Sequence, residues 1–347
     1  MATFLQNLTL SPENIRDLRQ LINVDLWRDE RLQDYFRVVP ARHGDPVGLI
    51  GKGNPIGTAG CGCDPEYAKF APSNTLKRWN LGCWQAPLKV CWKDMEGTIA
   101  EYALKNGTPI GDLNGTQVMS EVIEPLLTDL YVDLVWRLAW FGDTDAENVS
   151  DGGAIVNTVD TALVDAVDGL WKQIRTINAR AGAPQYTDVA GVAGGNDKAH
   201  ILVSGIPTKL IEQMMVNANA ATMALPNKVI YMTMAMATAL EWDMRNSGCG
   251  CMPWEDRVNG VRTTKWNGIE YIALPKWDEY INTFESGNSP YRAVLTNKDN
   301  ILIGTPGGEL VQDFDMYFDR ISRNMFLYGT GKIGAMFLNY EAFQALH

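Results

Sequence analysis

The cysteines are the residues in this chain whose type and spacing could most readily do chemistry. Cys61 and Cys63 sit in Gly60-Cys61-Gly62-Cys63, and the same pattern returns as Gly248-Cys249-Gly250-Cys251. Two such pairs could offer four thiolates to zinc, but the usual zinc spacing is Cys-x-x-Cys. They could close disulfides once the protein meets an oxidising medium. Disulfides suit the pattern better than zinc does, and reduced thiols in glycine-flanked turns remain the plainest reading. Cys83 and Cys91 are eight residues apart, so in one unbroken strand both face the same side. Beside Trp84 and Trp92 they read as small buried residues.

Other chemistries fail on spacing. The three histidines, His43, His200 and His347, are far apart, and none lies in a His-Glu-x-x-His frame. Gly329-Thr330-Gly331-Lys332 is like the end of a phosphate loop, but Ile333 stands where Ser or Thr is needed. Gly-x-Ser-x-Gly does not occur. Asp143-Thr144-Asp145-Ala146-Glu147 starts like a calcium loop, then puts Asn148 at the glycine position and Ala154 at the bidentate-glutamate position. The sequence therefore assigns no catalytic residue, no cofactor and no metal ligand. The expectation is a protein that is not an enzyme.

The elements that would position such residues come next. Ser11-Pro12 looks like an N-cap with proline at the first helical position. Ile15, Leu18, Ile22, Leu26, Leu32 and Phe36 then keep near-helical spacing, which predicts a helix over 12–36. Residues 40–72 are rich in glycine and proline and have no period, which predicts an extended, irregular arm. An arm so long suits packing on another subunit. Residues 76–94 have a strand texture, with Pro87 marking an edge or a turn. A long helix ends at Phe141-Gly142, with Val122, Leu126, Leu127, Leu130, Leu134 and Leu138 on its apolar stripe and Pro125 near its start.

Beyond it, helix is expected over 159–174, from about 204 to 214, and from Thr233 to Arg245. Strands are expected at 199–203, 228–232, 268–274, 292–296 and 300–304. Two further extended segments are expected at 314–327 and 332–338. The mixture is α+β, without the regular alternation of a βαβ series.

Composition narrows the class. The chain has 347 residues, 46% of them hydrophobic, with 11 Trp, 12 Tyr and 10 Phe, enough to bury a sizeable core. The formal net charge is −11. The acid is concentrated: residues 111–170 hold twelve Asp and Glu against one basic residue, Arg137. A pI of about 4.8 argues against gripping nucleic acid through overall charge. No secretory signal is visible, and the longest mostly apolar uncharged run, 229–240, is too short to span a bilayer, which needs about 20 residues. The expectation is folding in a cytosol with reduced cysteines and no membrane partner.

The order of these features resembles the major capsid protein of tailed bacteriophages, the Hong-Kong-97-type fold. The residues that carry the resemblance run along nearly the whole chain. They include Leu81-Gly82-Cys83-Trp84, Gly111-Asp112-Leu113-Asn114-Gly115 and Val135-Trp136-Arg137-Leu138-Ala139-Trp140-Phe141-Gly142-Asp143. Further along come Ile201-Leu202-Val203-Ser204, Val229-Ile230-Tyr231-Met232-Thr233, Trp266-Asn267-Gly268-Ile269-Glu270-Tyr271, Tyr291-Arg292-Ala293-Val294-Leu295-Thr296 and Asn300-Ile301-Leu302-Ile303-Gly304. The resemblance implies an N-terminal arm at 1–75 and an extended β-hairpin loop at 76–116. It implies a peripheral domain with a long spine helix at 117–150 and 311–347, and an axial domain at 151–310.

It further implies a structural subunit of a virion. Copies of the chain form pentamers and hexamers of an icosahedral shell, assembled in the host cytoplasm and enclosing double-stranded DNA touched non-specifically. Scaffolding, portal and decoration proteins are the other partners implied. On this resemblance no separate N-terminal scaffolding segment is expected ahead of the arm helix, so a separate scaffolding protein, or none, is implied. On this reading Cys61 and Cys63 on the arm could meet Cys249 and Cys251 of another subunit as inter-subunit disulfides, and the carboxylates of 111–170 face a lumen or basic patches on neighbours. The competing readings are an encapsulin-like nanocompartment shell and a cysteine-dependent metal or redox protein.

Overall fold

The computed structural model describes residues 19, 20, 22–24, 32, 35–53, 72–91, 124–146, 161–178, 186–246, 254–256, 261–285, 289–319 and 324–347. Elements are numbered along the chain. Two sheets and a separate ribbon organise them. The first sheet holds β1 (Arg37–Pro40), β4 (Gly82–Cys91), β11 (Ile301–Thr305), β12 (Asp313–Asp319) and β13 (Asn324–Phe337). β13 is its backbone: one half pairs antiparallel with β12 and β4, the other with β11, and β1 joins parallel to β11.

The second sheet has seven strands in the order β5-β14-β10-β6-β9-β8-β7. These are β5 (Tyr186–Thr187), β6 (Lys228–Thr233), β7 (Glu255–Asp256), β8 (Arg262–Trp266), β9 (Ile269–Leu274), β10 (Ala293–Asn297) and β14 (Gln344–Leu346). The ribbon is β2 (Pro46–Gly53) paired antiparallel with β3 (Pro72–Arg78).

The strand period explains why the seven-stranded sheet is buried on both faces. Along β6, Val229 and Tyr231 enter one core while Ile230 and Met232 enter the other. β9 alternates in the same way, with Ile272 and Leu274 on the first face and Tyr271 and Ala273 on the second. The first face is covered by α1 (Glu124–Phe141), α2 (Leu170–Asn178) and α8 (Pro275–Phe284). The second packs against α3 (Val189–Ala193), α5 (Ile206–Asn217) and α7 (Met234–Asn246), with the short α4 (Lys198–Ile201) and α6 (Ala220–Met223) beside them.

The long helix is α1. It starts by residue 124, holds Pro125 in its first turn where no backbone bond is lost, and stops before Gly142. From Tyr131 to Phe141 nearly every side chain is buried, so α1 is an interior helix and not a surface one. Gly142 and Gly169 let the chain turn back tightly. A Cβ on Gly142 would lie 2.2 Å from the Val167 carbonyl oxygen, and Gly169 N–H donates to the Gly142 carbonyl at 2.7 Å.

Several expectations change. Residues 19–24, where described, are helical, but they pack on their own subunit: Ile22, Leu32, Tyr35 and Phe36 are buried in the first core. The side-chain amide of Asn23 donates to the Val311 carbonyl and accepts from the Val311 N–H, both at 3.0 Å. The irregular stretch expected over 40–72 contains β2, and residues 54–71 lie outside the described ones. Residues 199–203 are not a strand. The Asp197 carboxylate accepts from the N–H groups of Ala199 and His200 and opens the short helix α4 there. The helix expected over 159–174 is a 3₁₀ turn at Thr161–Leu163, an irregular stretch and then α2. The two C-terminal extended segments are β12 and the unbroken β13, with 320–323 between them.

β13 runs straight through Gly329-Thr330-Gly331. Those glycines admit neighbours, because a Cβ on Gly331 would lie 2.0 Å from the Leu310 carbonyl oxygen and 2.7 Å from the Trp84 ring.

Candidate assembly surface

The four paired cysteines, Cys61, Cys63, Cys249 and Cys251, lie outside the described residues. Cys83 is exposed and free on β4, opposite Lys332 of β13, so it is not the buried residue the sequence suggested. Each histidine is engaged separately. His43 Nδ1 accepts from the Leu81 N–H, His200 Nδ1 pairs with Asp197, and His347 packs on Trp171. Among the described residues, no group of three or more His, Cys, Asp or Glu could hold a metal ion, and no helix is long and apolar enough to cross a membrane.

Most buried charge is used to join elements. At the end of α1, Lys172 of α2 places its ammonium 2.5 Å from Asp143 and 2.6 Å from Asp145. Burial works against that charge, but the two carboxylates outweigh it and hold the lysine above its ordinary pKa. Carboxylates at a helix C-terminus oppose the helix dipole, and here the offset comes from within the subunit. Asp133 of α1 likewise receives Lys276 and the Tyr280 hydroxyl of α8, at 2.9 and 2.6 Å, together with Arg137. Of the acid concentrated in 111–170, Asp133, Asp143 and Asp145 are paired within the subunit.

A third network is the most deeply buried. Glu285, just past α8, pairs with Arg292 and with Arg175 of α2. Burial alone would raise its carboxyl, but the two guanidiniums pull it down to about 2. Two further aspartates cap helices from a distance. Asp278 of α8 accepts from the N–H groups of Met234 and Ala235, at 2.6 and 3.0 Å, at the start of α7. Burial still keeps it above the ordinary carboxylate range. Asp243 of α7 accepts from Gly205 and Thr208 at the start of α5.

What faces outward is apolar in places. Leu76 on the ribbon is 64% exposed, Val216 on α5 82% and Trp242 on α7 54%. Tyr317 of β12 stacks on Phe326 of β13 at 5.2 Å on the outer face of the first sheet. A cleft of about 510 Å³ lies between β4, β13, the end of α1 and the 3₁₀ turn, lined by Cys83, Trp84, Arg137, Leu163, Asp165 and Lys332 among others. Apolar side chains exposed singly are ordinary on a protein surface, so these positions are candidates for association and not sites by themselves.

Compared by sequence, the chain matches no family model and no curated protein. Compared by structure, it is similar to a chain of the satellite phage P4 procapsid that includes the size determination protein. There the TM-score is 0.56 and the identity 9%, with 94% of this chain and 98% of that chain covered. The chain has the tailed-phage major capsid protein fold. A second match is the capsid of an empty GTA particle, at TM-score 0.50 and 13% identity, covering 91% of this chain and 88% of that one. The encapsulin SrpI of Synechococcus elongatus is similar at TM-score 0.46 and 12% identity, covering 100% of this chain and 90% of that one, too distant a likeness to carry an argument. The ion pairs described above join elements within the subunit, and the exposed apolar side chains lie on its surface. The sequence singles out none of those side chains, because exposure depends on which face a residue takes, and period alone does not say which face is covered.

Proposed function

We propose that the chain is a shell subunit: a major capsid protein whose copies form the pentamers and hexamers of an icosahedral shell around double-stranded DNA. The observation that carries this reading is the fold, shared with a procapsid chain over 94% of this chain and 98% of that one. The subunit has no catalytic role in it. Scaffolding, portal and decoration proteins are partners in the same proposal. The low pI supports a shell interior that does not trap DNA during packing.

Sheet membership supports a refinement of the domain division drawn from the sequence. The peripheral part is built on the five-stranded sheet and α1, and the axial part on the seven-stranded sheet. On this proposed division β11 belongs to the peripheral side and β14 to the axial side, and the projecting loop is the β2–β3 ribbon, with β4 paired to β13 in the five-stranded sheet.

Negative-stain microscopy of the expressed protein tests the reading. Uniform shells or capsomer rings are expected, and dispersed monomers under all conditions of salt and concentration would count against it. Nucleic acid inside purified particles supports the viral form, whereas a co-purifying enzyme inside them points to a nanocompartment. We also propose that Cys61 or Cys63 pairs with Cys249 or Cys251 between subunits. Non-reducing electrophoresis of particles is expected to show multimers that collapse with reductant, and monomer alone in both lanes removes the idea.

A further inference from the structure

The two sheets protect most of their edges. Among the described residues, β5 and β7 are edge strands of two residues each, and β1 has four and ends at Pro40. β4 carries Pro87, which has no N–H, near its middle. β12 is different. It runs seven residues without Pro or Gly, pairs in unbroken register with β13 on one side, and among the described residues has no strand on the other. Every second residue of such a strand turns its N–H and C=O away from the partner it has. The strand is also held in place, because Phe314 is buried in the first core.

Its outward side chains decide what can lie beside it. Asp313 and Asp315 are exposed, and among the described residues neither carboxylate has a hydrogen-bonded or ionic partner. Tyr317 takes the next outward position, 49% exposed and stacked on Phe326. The neighbours of these three on β13 are Thr330, Tyr328 and Phe326, none of them charged. The cations of the same face stand apart from the two carboxylates. Lys89 is on β4, 6.0 Å from the Phe326 ring, and Lys332 lies diagonal to Asp313 without pairing with it. The edge thus offers two unpaired carboxylates at alternate positions, followed by an aromatic ring.

We propose that the free edge of β12 is a strand-addition site for an extended segment of another protein that carries Lys or Arg at alternate positions. Main-chain hydrogen bonds along the edge supply the affinity of such a contact, and the alternate side chains supply its specificity. Each cation of the added strand lies beside a carboxylate on the outer face, where opposite charges on neighbouring strands attract. Charges on an edge turn away apolar and acidic strands, and by the same rule they select a basic one. A second copy of β12 is a poor occupant. Laid on parallel in register, or antiparallel about Phe314, it sets carboxylate beside carboxylate. The edge is present in the single subunit, so strand addition does not depend on shell formation.

The test titrates the full-length protein into a fluorescent peptide of alternating lysine and valine and follows its anisotropy. Saturable binding is expected, and its absence at concentrations on the order of 1 mM overturns the proposal. The same peptide with aspartate in place of lysine is expected not to bind. Asp313→Asn combined with Asp315→Asn is expected to weaken the lysine peptide at least tenfold. A folded variant that keeps wild-type affinity, or an aspartate peptide that binds like the lysine one, overturns the proposal. Should the variant fail to fold, peptides methylated at alternate backbone nitrogens decide on the wild-type protein. At least one of the two alternately methylated forms is expected to lose tenfold or more in affinity. If both bind like the parent, the contact is charge alone and strand addition is wrong. Peptide bound by free subunits but refused by assembled shells would assign the edge to a second copy, which also overturns the proposal.

Discussion

Glu285 shows how much a single residue can hold. Its carboxylate ties α8 to α2 through the partly buried Arg175 and to the start of β10 through the fully buried Arg292. Held at about 2, it contributes stability that is fully present above the ordinary carboxylate value of about 4.5 and is lost as pH falls through 2. Glu285→Gln leaves the buried guanidinium of Arg292, and the partly exposed one of Arg175, facing a neutral amide. A loss of roughly 3–5 kcal/mol at pH 7 is expected in denaturant unfolding, because removing one partner of a buried pair strands the other charge. The variant should also show a flatter acid limb between pH 4.5 and 2 than wild type, and an unchanged limb would show that the pair contributes nothing there. The sequence offers no sign of this network. Its members are separated by 110 residues in one case and 7 in the other, and nothing in spacing says that Arg175 and Glu285 will meet. The acidic run after α1 is different. Carboxylates at the wrong end of a helix demand a cation, and only the source, Lys172 of the same subunit, is hidden.

Elements are legible where one signal dominates. β6, β9, β10 and β11 are short runs of β-branched and apolar residues buried on both faces, and α1 declares itself by its stripe, its Pro125 and its Gly142. The failures have local causes. Residues 199–203 look like a strand by apolar content, but Asp197 caps a turn of helix there. Helix α8 is absent from the sequence-based expectations, although Pro275 at its start and the buried Trp277, Tyr280, Ile281 and Phe284 have helical spacing. Its apolar start merges with the preceding strand, which ends at Leu274. Helix α7 is expected with Thr233 as its cap, and the Thr233 hydroxyl does accept from the Met236 N–H at 3.3 Å. Asp278 satisfies two more N–H groups from another helix, which no local pattern could reveal. Asp278→Ala should therefore cost about 1–2 kcal/mol, the range for losing a helix cap. Hydrogen exchange should quicken in residues 234–236 before the rest of α7, and uniform quickening along α7 would mean that the aspartate acts through packing instead.

At the scale of the molecule, one chain divides its apolar residues between two uses. The tryptophans of the interior, Trp140, Trp171 and Trp277, cluster with ring centroids 4.5–6.0 Å apart and hold α1, α2 and α8 together. Trp242 and Val216 lie outside that cluster: Val216 stands largely in solvent and Trp242 is about half exposed, on helices whose other faces are packed. If they serve association between copies, replacing them should separate folding from assembly. Val216→Asp, and Trp242→Asp with its larger loss of packed area, are expected to cost about 1–2 kcal/mol in unfolding and still to leave a folded chain. Each should still abolish or strongly reduce particles in sedimentation velocity, because a charge is placed in a contact that has to lose its water. Lys209→Asp on the exposed side of α5 serves as the control for charge alone, and its particles should persist. Variants that unfold would show that these side chains belong to the core, and folded variants that assemble like wild type would move the contact surface elsewhere on the subunit, towards the ribbon at Leu76 or the Tyr317–Phe326 face.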